Sequence, residues 1–166
     1  SPDDTELLKA ANKQGYKLVN TTIDQKTVKI GKNNKRYKVL KVLAFSSDRK
    51  RMSIIVRDKD TKLIKLFIKG AEFQIKKRVS SRFINDNRFK YISERSEFFS
   101  KQGFRTLLVA YKIIDDKEYS EWSEKLYRND FDDKGIEEKT KLIDKLYEAM
   151  ENKLELLGAT IVEDKL

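Results

Sequence analysis

Two short runs of strict alternation constrain the fold more than anything else in this chain. In residues 52–56, Met52, Ile54 and Val56 face one way. In residues 63–69, Ile64, Leu66 and Ile68 face one way, with Leu63, Lys65, Phe67 and Lys69 on the other. A period of two is that of a half-buried strand, not of a helix. Only the turn-forming Asp58-Lys59-Asp60-Thr61 and a short link lie between the runs. That is too short for a crossover helix, so the strands pair antiparallel.

The flanking sequence extends this pattern. Ser1-Pro2-Asp3-Asp4 is a helix start, with Ser1 as cap, Pro2 at the first helical position and two acids at the positive helix end. Leu7, Leu8, Ala10 and Ala11 give that helix an apolar face, and Gly15 stops it. Residues 16–22 and 27–30 read as strands around an Asp24-Gln25-Lys26 turn, and Gly31-Lys32-Asn33-Asn34-Lys35 as a turn into an apolar strand over 37–45. Gly70-Ala71 leads into a short helix; a longer helix covers 89–101 and ends at Gly103, and a strand follows over 105–114. Residues 118–127 are amphipathic. Leu142, Ile143, Leu146, Tyr147, Met150, Leu154 and Leu157 recur at helical spacing, with Gly158 as cap and 159–162 extended. The expected fold class is α+β: an antiparallel β-sheet flanked by helices, in one domain spanning residues 1–166.

Composition removes whole classes of chemistry. With no cysteine and no histidine there are no disulfides, no thiolate nucleophile, no usual zinc site and no histidine general base. No apolar run is long enough to cross a bilayer, so the chain reads as a soluble domain of a reducing compartment. The net charge of +10 suits anionic partners, but its lysines are spread along the chain among acids rather than gathered in a stripe. Gly31-Lys32 lacks the spacing and the hydroxyl of a P-loop, and Asp130-Phe131-Asp132-Asp133-Lys134-Gly135 loses the ligands of a calcium loop. No nucleophile stands beside a base. The chain reads as a binder.

The candidate binding groups cluster at expected strand ends. Phe45, Ser47 and Lys50 belong to the run Ala44-Phe45-Ser46-Ser47-Asp48-Arg49-Lys50-Arg51-Met52-Ser53. That run reads either as a hairpin with a core phenylalanine and a solvated basic turn, or as a stacking ring beside phosphate-reaching cations. Lys69 precedes Gly70, where a missing Cβ permits close backbone approach by a ligand. Arg105-Thr106 opens a strand after a glycine turn. If these strands adjoin, an aromatic platform and several cations meet at one sheet edge, a combination suited to a purine nucleotide. The stretches around residues 32–38 and 78–88 read as solvated basic loops.

The same residues carry a family resemblance. Ser1-Pro2-Asp3-Asp4, the run from Phe45 to Ser53, Lys69-Gly70-Ala71-Glu72, Gly103-Phe104-Arg105-Thr106-Leu107 and Leu157-Gly158-Ala159-Thr160 with Glu163-Asp164-Lys165-Leu166 occur in order along the chain. Together they resemble the nucleotide-binding (N) domain of type IV P-type ATPases, the phospholipid flippases. The resemblance implies that fold, and ATP as ligand with Mg²⁺ accompanying it. It implies that Phe45 stacks on adenine with Met52 beside it, and that Lys69 and Gly70 lie near base and sugar. Lys50 and Arg105 would then reach toward ribose and phosphates, with Ser47 and Thr106 as polar support. Asp4 stands where the family has a glutamate on the adenine side.

The family's phosphorylated-aspartate motif, its magnesium-binding acids and its membrane helices have no counterpart in the sequence. The resemblance therefore implies a cytosolic fragment of a larger membrane ATPase that binds ATP without hydrolysing it. Its affinity would lie in the high-micromolar to millimolar range, roughly 4 to 5 kcal/mol. Phosphorylation and actuator domains of the parent chain, and a membrane accessory subunit, would be its partners, with no nucleic acid. The alternatives are a basic non-catalytic module binding nucleic acid or anionic lipid, and a flippase-like domain fused to another activity.

Overall fold

A computed structural model describes residues 1–164; Lys165 and Leu166, part of the last resemblance motif, lie outside the described residues. The chain opens with helix α1 (Pro2–Lys13) and continues with strands β1 (Tyr16–Thr21), β2 (Gln25–Ile30), β3 (Asn33–Leu43), β4 (Arg51–Asp58) and β5 (Ile64–Gly70). Helices α2 (Glu72–Lys76), α3 (Ser81–Ile84) and α4 (Asn87–Lys101) separate β5 from β6 (Arg105–Ile114). Helices α5 (Asp116–Asp130) and α6 (Ile136–Met150) then lead to β7 (Glu155–Val162). The seven strands form one sheet in sequence order, every neighbouring pair antiparallel.

Alternation decides the two faces. Ile64, Leu66 and Ile68 of β5 and Leu108, Ala110 and Ile114 of β6 enter one core cluster with Leu43, Ile55, Leu154 and Leu156. Ile75, Ile92, Trp122, Leu146 and Met150 cover that cluster from the helices. Each such buried aliphatic side chain contributes about 1.5–3 kcal/mol. The opposite face, away from α2 and α4–α6, carries Met52, Ile54, Phe67 and Lys69, the last bonded to Asp4 of α1. β1 is exposed along its length, and β1 and β2 contribute nothing to the core cluster.

Helix α1 buries no side chain. A capping box starts it: the Asp4 N–H donates to Ser1 Oγ (3.3 Å), and Ser1 Oγ donates to the Asp4 carboxylate (2.8 Å).

Several expected boundaries move. The β2–β3 turn is only Gly31-Lys32, with Gly31 at φ +61°, so Asn33, Asn34 and Lys35 belong to β3. Gln25 and Lys26 likewise pair within β2 rather than turning. β3 ends at Leu43, leaving Phe45 beyond the strand. α6 stops at Met150, and Gly158, the expected cap, pairs with Val109 inside β7. Leu154 and Leu157 keep helical spacing by coincidence, while Leu154 and Leu156 follow the strand period into the core. Arg78, expected in a solvated loop, is buried.

Candidate nucleotide site

The sheet register brings the candidate residues toward one end of the sheet. Met52 pairs with Lys69 and Arg51 with Gly70. Gly70 pairs in turn with Leu108, three residues inside β6 from Arg105. The 44–50 loop leaves β3 at the same end and is tied down there, since the Ala71 N–H donates to the Lys50 carbonyl (3.0 Å). Phe45, Ser47, Lys50, Met52, Lys69, Gly70 and Arg105 thus lie toward one end of the sheet, supplied by three separate stretches of chain, while Thr106, two residues before Leu108, falls on the helix-covered face.

A cleft of about 440 Å³ lies on the opposite face, lined by Lys26, Val42, Met52, Ile54, Phe67, Lys69 and Val109 among others. Its walls are mostly apolar, with lysine at the edge, and its size suits a ligand-binding site. Of the residues read from sequence, Met52 and Lys69 line it directly. Val42, Ile54, Phe67, Val109 and Lys26 are additions from the structure. The alternation that puts Ile54 with Met52 and Phe67 with Lys69 was the signal for two of them. The Phe67 ring stacks on Tyr111 with centroids 6.0 Å apart, which stiffens the floor.

Phe45 is 63% exposed and packs into no core, which disposes of the core-phenylalanine reading of its hairpin. Lys50 adopts a positive φ of 52° at the end of the loop, where its N–H donates to the Ser46 carbonyl (2.8 Å). A Cβ on Gly70 would stand 2.6 Å from the Arg51 Cβ and 2.7 Å from the Lys50 carbonyl oxygen. The close approach at Gly70 is therefore made by the chain's own β4, not left open for a ligand.

Acids of α1 hold two of the cations. Lys69 donates to the Asp4 carboxylate, and this bond, followed by that from Ser1, depresses the Asp4 pKa well below the usual carboxylate range. Arg105 bonds Asp3, and also Asp164 at 2.8 Å. Lys69 is thus charge-compensated beside the cleft. Arg105 is about half exposed. Among the described residues no three acidic side chains converge on a point that could hold a metal ion.

All 166 residues match the family model described as P-type ATPase, cytoplasmic domain N. The chain belongs to the P-type ATPase N-domain family. This N domain is 40% identical over its whole length to a phospholipid-transporting ATPase of Schizosaccharomyces pombe. It is 37% identical to human phospholipid-transporting ATPase IC and to the probable phospholipid-transporting ATPase 11 of Arabidopsis thaliana. These relatives place the N domain with the type IV members. The chain spans only 12% of the yeast protein, 13% of the human and 14% of the plant one. The antiparallel seven-stranded sheet with its helices is the α+β fold the resemblance implies. Among the described residues no helix is long and apolar enough to cross a membrane.

Proposed function

We propose that this N domain binds ATP in the cleft beside Met52 and Lys69 and presents its γ-phosphate to an aspartate in a separate phosphorylation domain of a phospholipid-transporting parent. The observation that supports the reading is an apolar, lysine-edged cleft on the sheet, with the loop of the exposed Phe45 and the strand start of Arg105 toward the same sheet end. Adenine lies against Phe45 and Met52, with Lys69 and Asp4 near base and sugar. The phosphates run toward Lys50 and Arg105, with Ser47 as polar support. Arg105 exchanges its aspartate partners for phosphate oxygens, which it can meet in a bidentate fork.

Mg²⁺ accompanying the triphosphate would screen its charge, and no residue of this chain is assigned as its ligand. The chain itself supplies positioning, the part of phosphoryl transfer that lowers the entropic cost of approach. Calorimetric titration tests the reading. ATP binds with an affinity in the high-micromolar to millimolar range, GTP binds more weakly, and no phosphate is released. Equal binding of ATP and GTP contradicts the adenine pocket, and phosphate release contradicts the division of labour.

A further inference from the structure

Beneath the 44–50 loop, on the helix-covered face, lies a buried ionic cluster with no place in the nucleotide site itself. Glu151, the residue that closes α6, is fully buried. Its Oε1 accepts from Arg49 Nη2 and from Ser53 Oγ (2.9 Å), and its Oε2 accepts from Arg51 Nε. Arg51 continues to Glu148 (3.0 Å), which also takes two bonds from Arg78.

The Arg49 fork is the informative member. Its Nη2 is held by Glu151, while its Nε donates to the carbonyl of Ala44 (3.2 Å), the residue immediately before Phe45. The guanidinium also lies over the Tyr147 ring, 5.1 Å from its centroid. The Arg49 N–H meets Ser46 Oγ at 3.1 Å, and the Arg51 Nη1 donates to the Arg49 carbonyl (3.0 Å). The loop has few other anchors, since Phe45, Ser47, Asp48 and Lys50 are all exposed. The buried Glu151 carboxylate, just past α6, thus ties down Arg49 and through it the Ala44 carbonyl, on either side of Phe45, while the Ala71 N–H holds the Lys50 carbonyl at the end of the loop.

We propose that Glu151 is a positioning residue for adenine recognition, acting through Arg49 on the Ala44–Phe45 peptide to hold the Phe45 ring at the mouth of the cleft. A buried carboxylate between two arginines is a costly way to gain stability, since desolvation offsets much of the attraction. Its distinctive product is geometry: a planar fork with one arm on Glu151 and the other on the Ala44 carbonyl allows few loop positions. The proposal deepens the ATP-binding reading and rests on it for the ligand, although its effect on the loop can be read without any ligand.

The test compares wild type, Glu151→Gln and Arg49→Lys by NMR on this same 166-residue chain. Arg49→Lys keeps a cation for Glu151, but one ammonium on a flexible stem cannot reproduce the two-armed fork. It therefore decides the matter if Glu151→Gln does not fold. The ligand-free readout is amide hydrogen exchange at Arg49 and Lys50, which should quicken at least about tenfold in either variant while exchange in β5 and β6 is unchanged. The ligand readouts are AMP and inorganic tripolyphosphate binding. AMP affinity should fall about tenfold, with loss of the ring-current shift on its adenine protons, while tripolyphosphate affinity stays within about twofold. A purely structural role would instead speed exchange across the whole sheet and leave the AMP-to-tripolyphosphate ratio unaltered. Unchanged loop exchange in folded variants overturns the proposal, as does AMP binding within twofold of wild type. If wild type binds no AMP, the ATP reading fails, and the exchange result still decides whether Glu151 holds the loop.

Discussion

Lys69, near the end of β5, donates to Asp4 in the first turn of α1, joining residues 65 positions apart. Since α1 buries no side chain, this pair and the neighbouring Asp3–Arg105 pair are its polar fastenings at the cleft. The helix is thus held by the groups that a nucleotide would approach. In an exposed pair the net stabilisation is small, so the helix can shift without threatening the core.

A double-mutant cycle on this pair follows. Lys69→Gln leaves the Asp4 charge uncompensated beside an anionic ligand and should weaken ATP binding about tenfold, close to 1.4 kcal/mol. Adding Asp4→Asn removes that charge and should recover part of the loss. Strict additivity of the two changes, measured by calorimetry, would mean that the pair does not act together at the site.

Phe45→Ala should separate binding from stability. Stacking of a base on an aromatic ring contributes about 1–3 kcal/mol, so ATP affinity should fall roughly five- to 150-fold. With the ring 63% exposed, the melting temperature should stay nearly constant. A large fall in melting temperature would return Phe45 to the core.

Gly70→Ala should act the other way. The added methyl meets β4 backbone and the Arg51 Cβ at under 3.0 Å, so strands must part. Overpacking of this kind costs about 1–3 kcal/mol. Urea denaturation should show that loss. Unchanged stability would mean that β4 and β5 are less rigidly apposed than their register indicates.

Much of this architecture is legible in the chain itself. β5 and β6 follow from the alternation of Ile64, Leu66 and Ile68 and from the unbroken apolar run at Thr106–Tyr111, because those strands stand half or wholly in the core. The end of α6 is not legible: Leu154 satisfies a helical and a strand period at once, and only its pairing environment decides. The resemblance named the candidate residues, and Lys26 and Val42 joined the cleft only with the register in hand. A bulge between Val39 and Lys41 resets which residues of β3 face the cleft, which no periodicity count over 37–45 reveals. Arg49 and Glu151, 102 positions apart, carry no local signal of their contact.

Acid should expose a different anchor. Asp58 is fully buried; burial pushes its pKa up, but the Lys35 ammonium and the N–H groups of Asp60 and Thr61 outweigh it and hold the value at about 2. The folded value lies below the ordinary 3.8, so the stabilisation is complete above about pH 4 and is lost as pH falls through about 2. The shift corresponds to about 2 kcal/mol. Denaturation midpoints between pH 5 and pH 2 should fall more steeply in wild type than in Asp58→Asn. Parallel curves would remove Asp58 as the cause.

The central claim, a specific adenine pocket in the cleft, is tested most directly by amide chemical-shift titration with ATP, GTP and tripolyphosphate at two salt concentrations. Shifts centred on Phe45, Met52, Lys69 and Arg105, larger for ATP than for GTP and lost in Phe45→Ala, are the predicted result. Diffuse shifts over surface lysines, equal for all three ligands and abolished by salt, would contradict it and leave a basic surface in place of a nucleotide site.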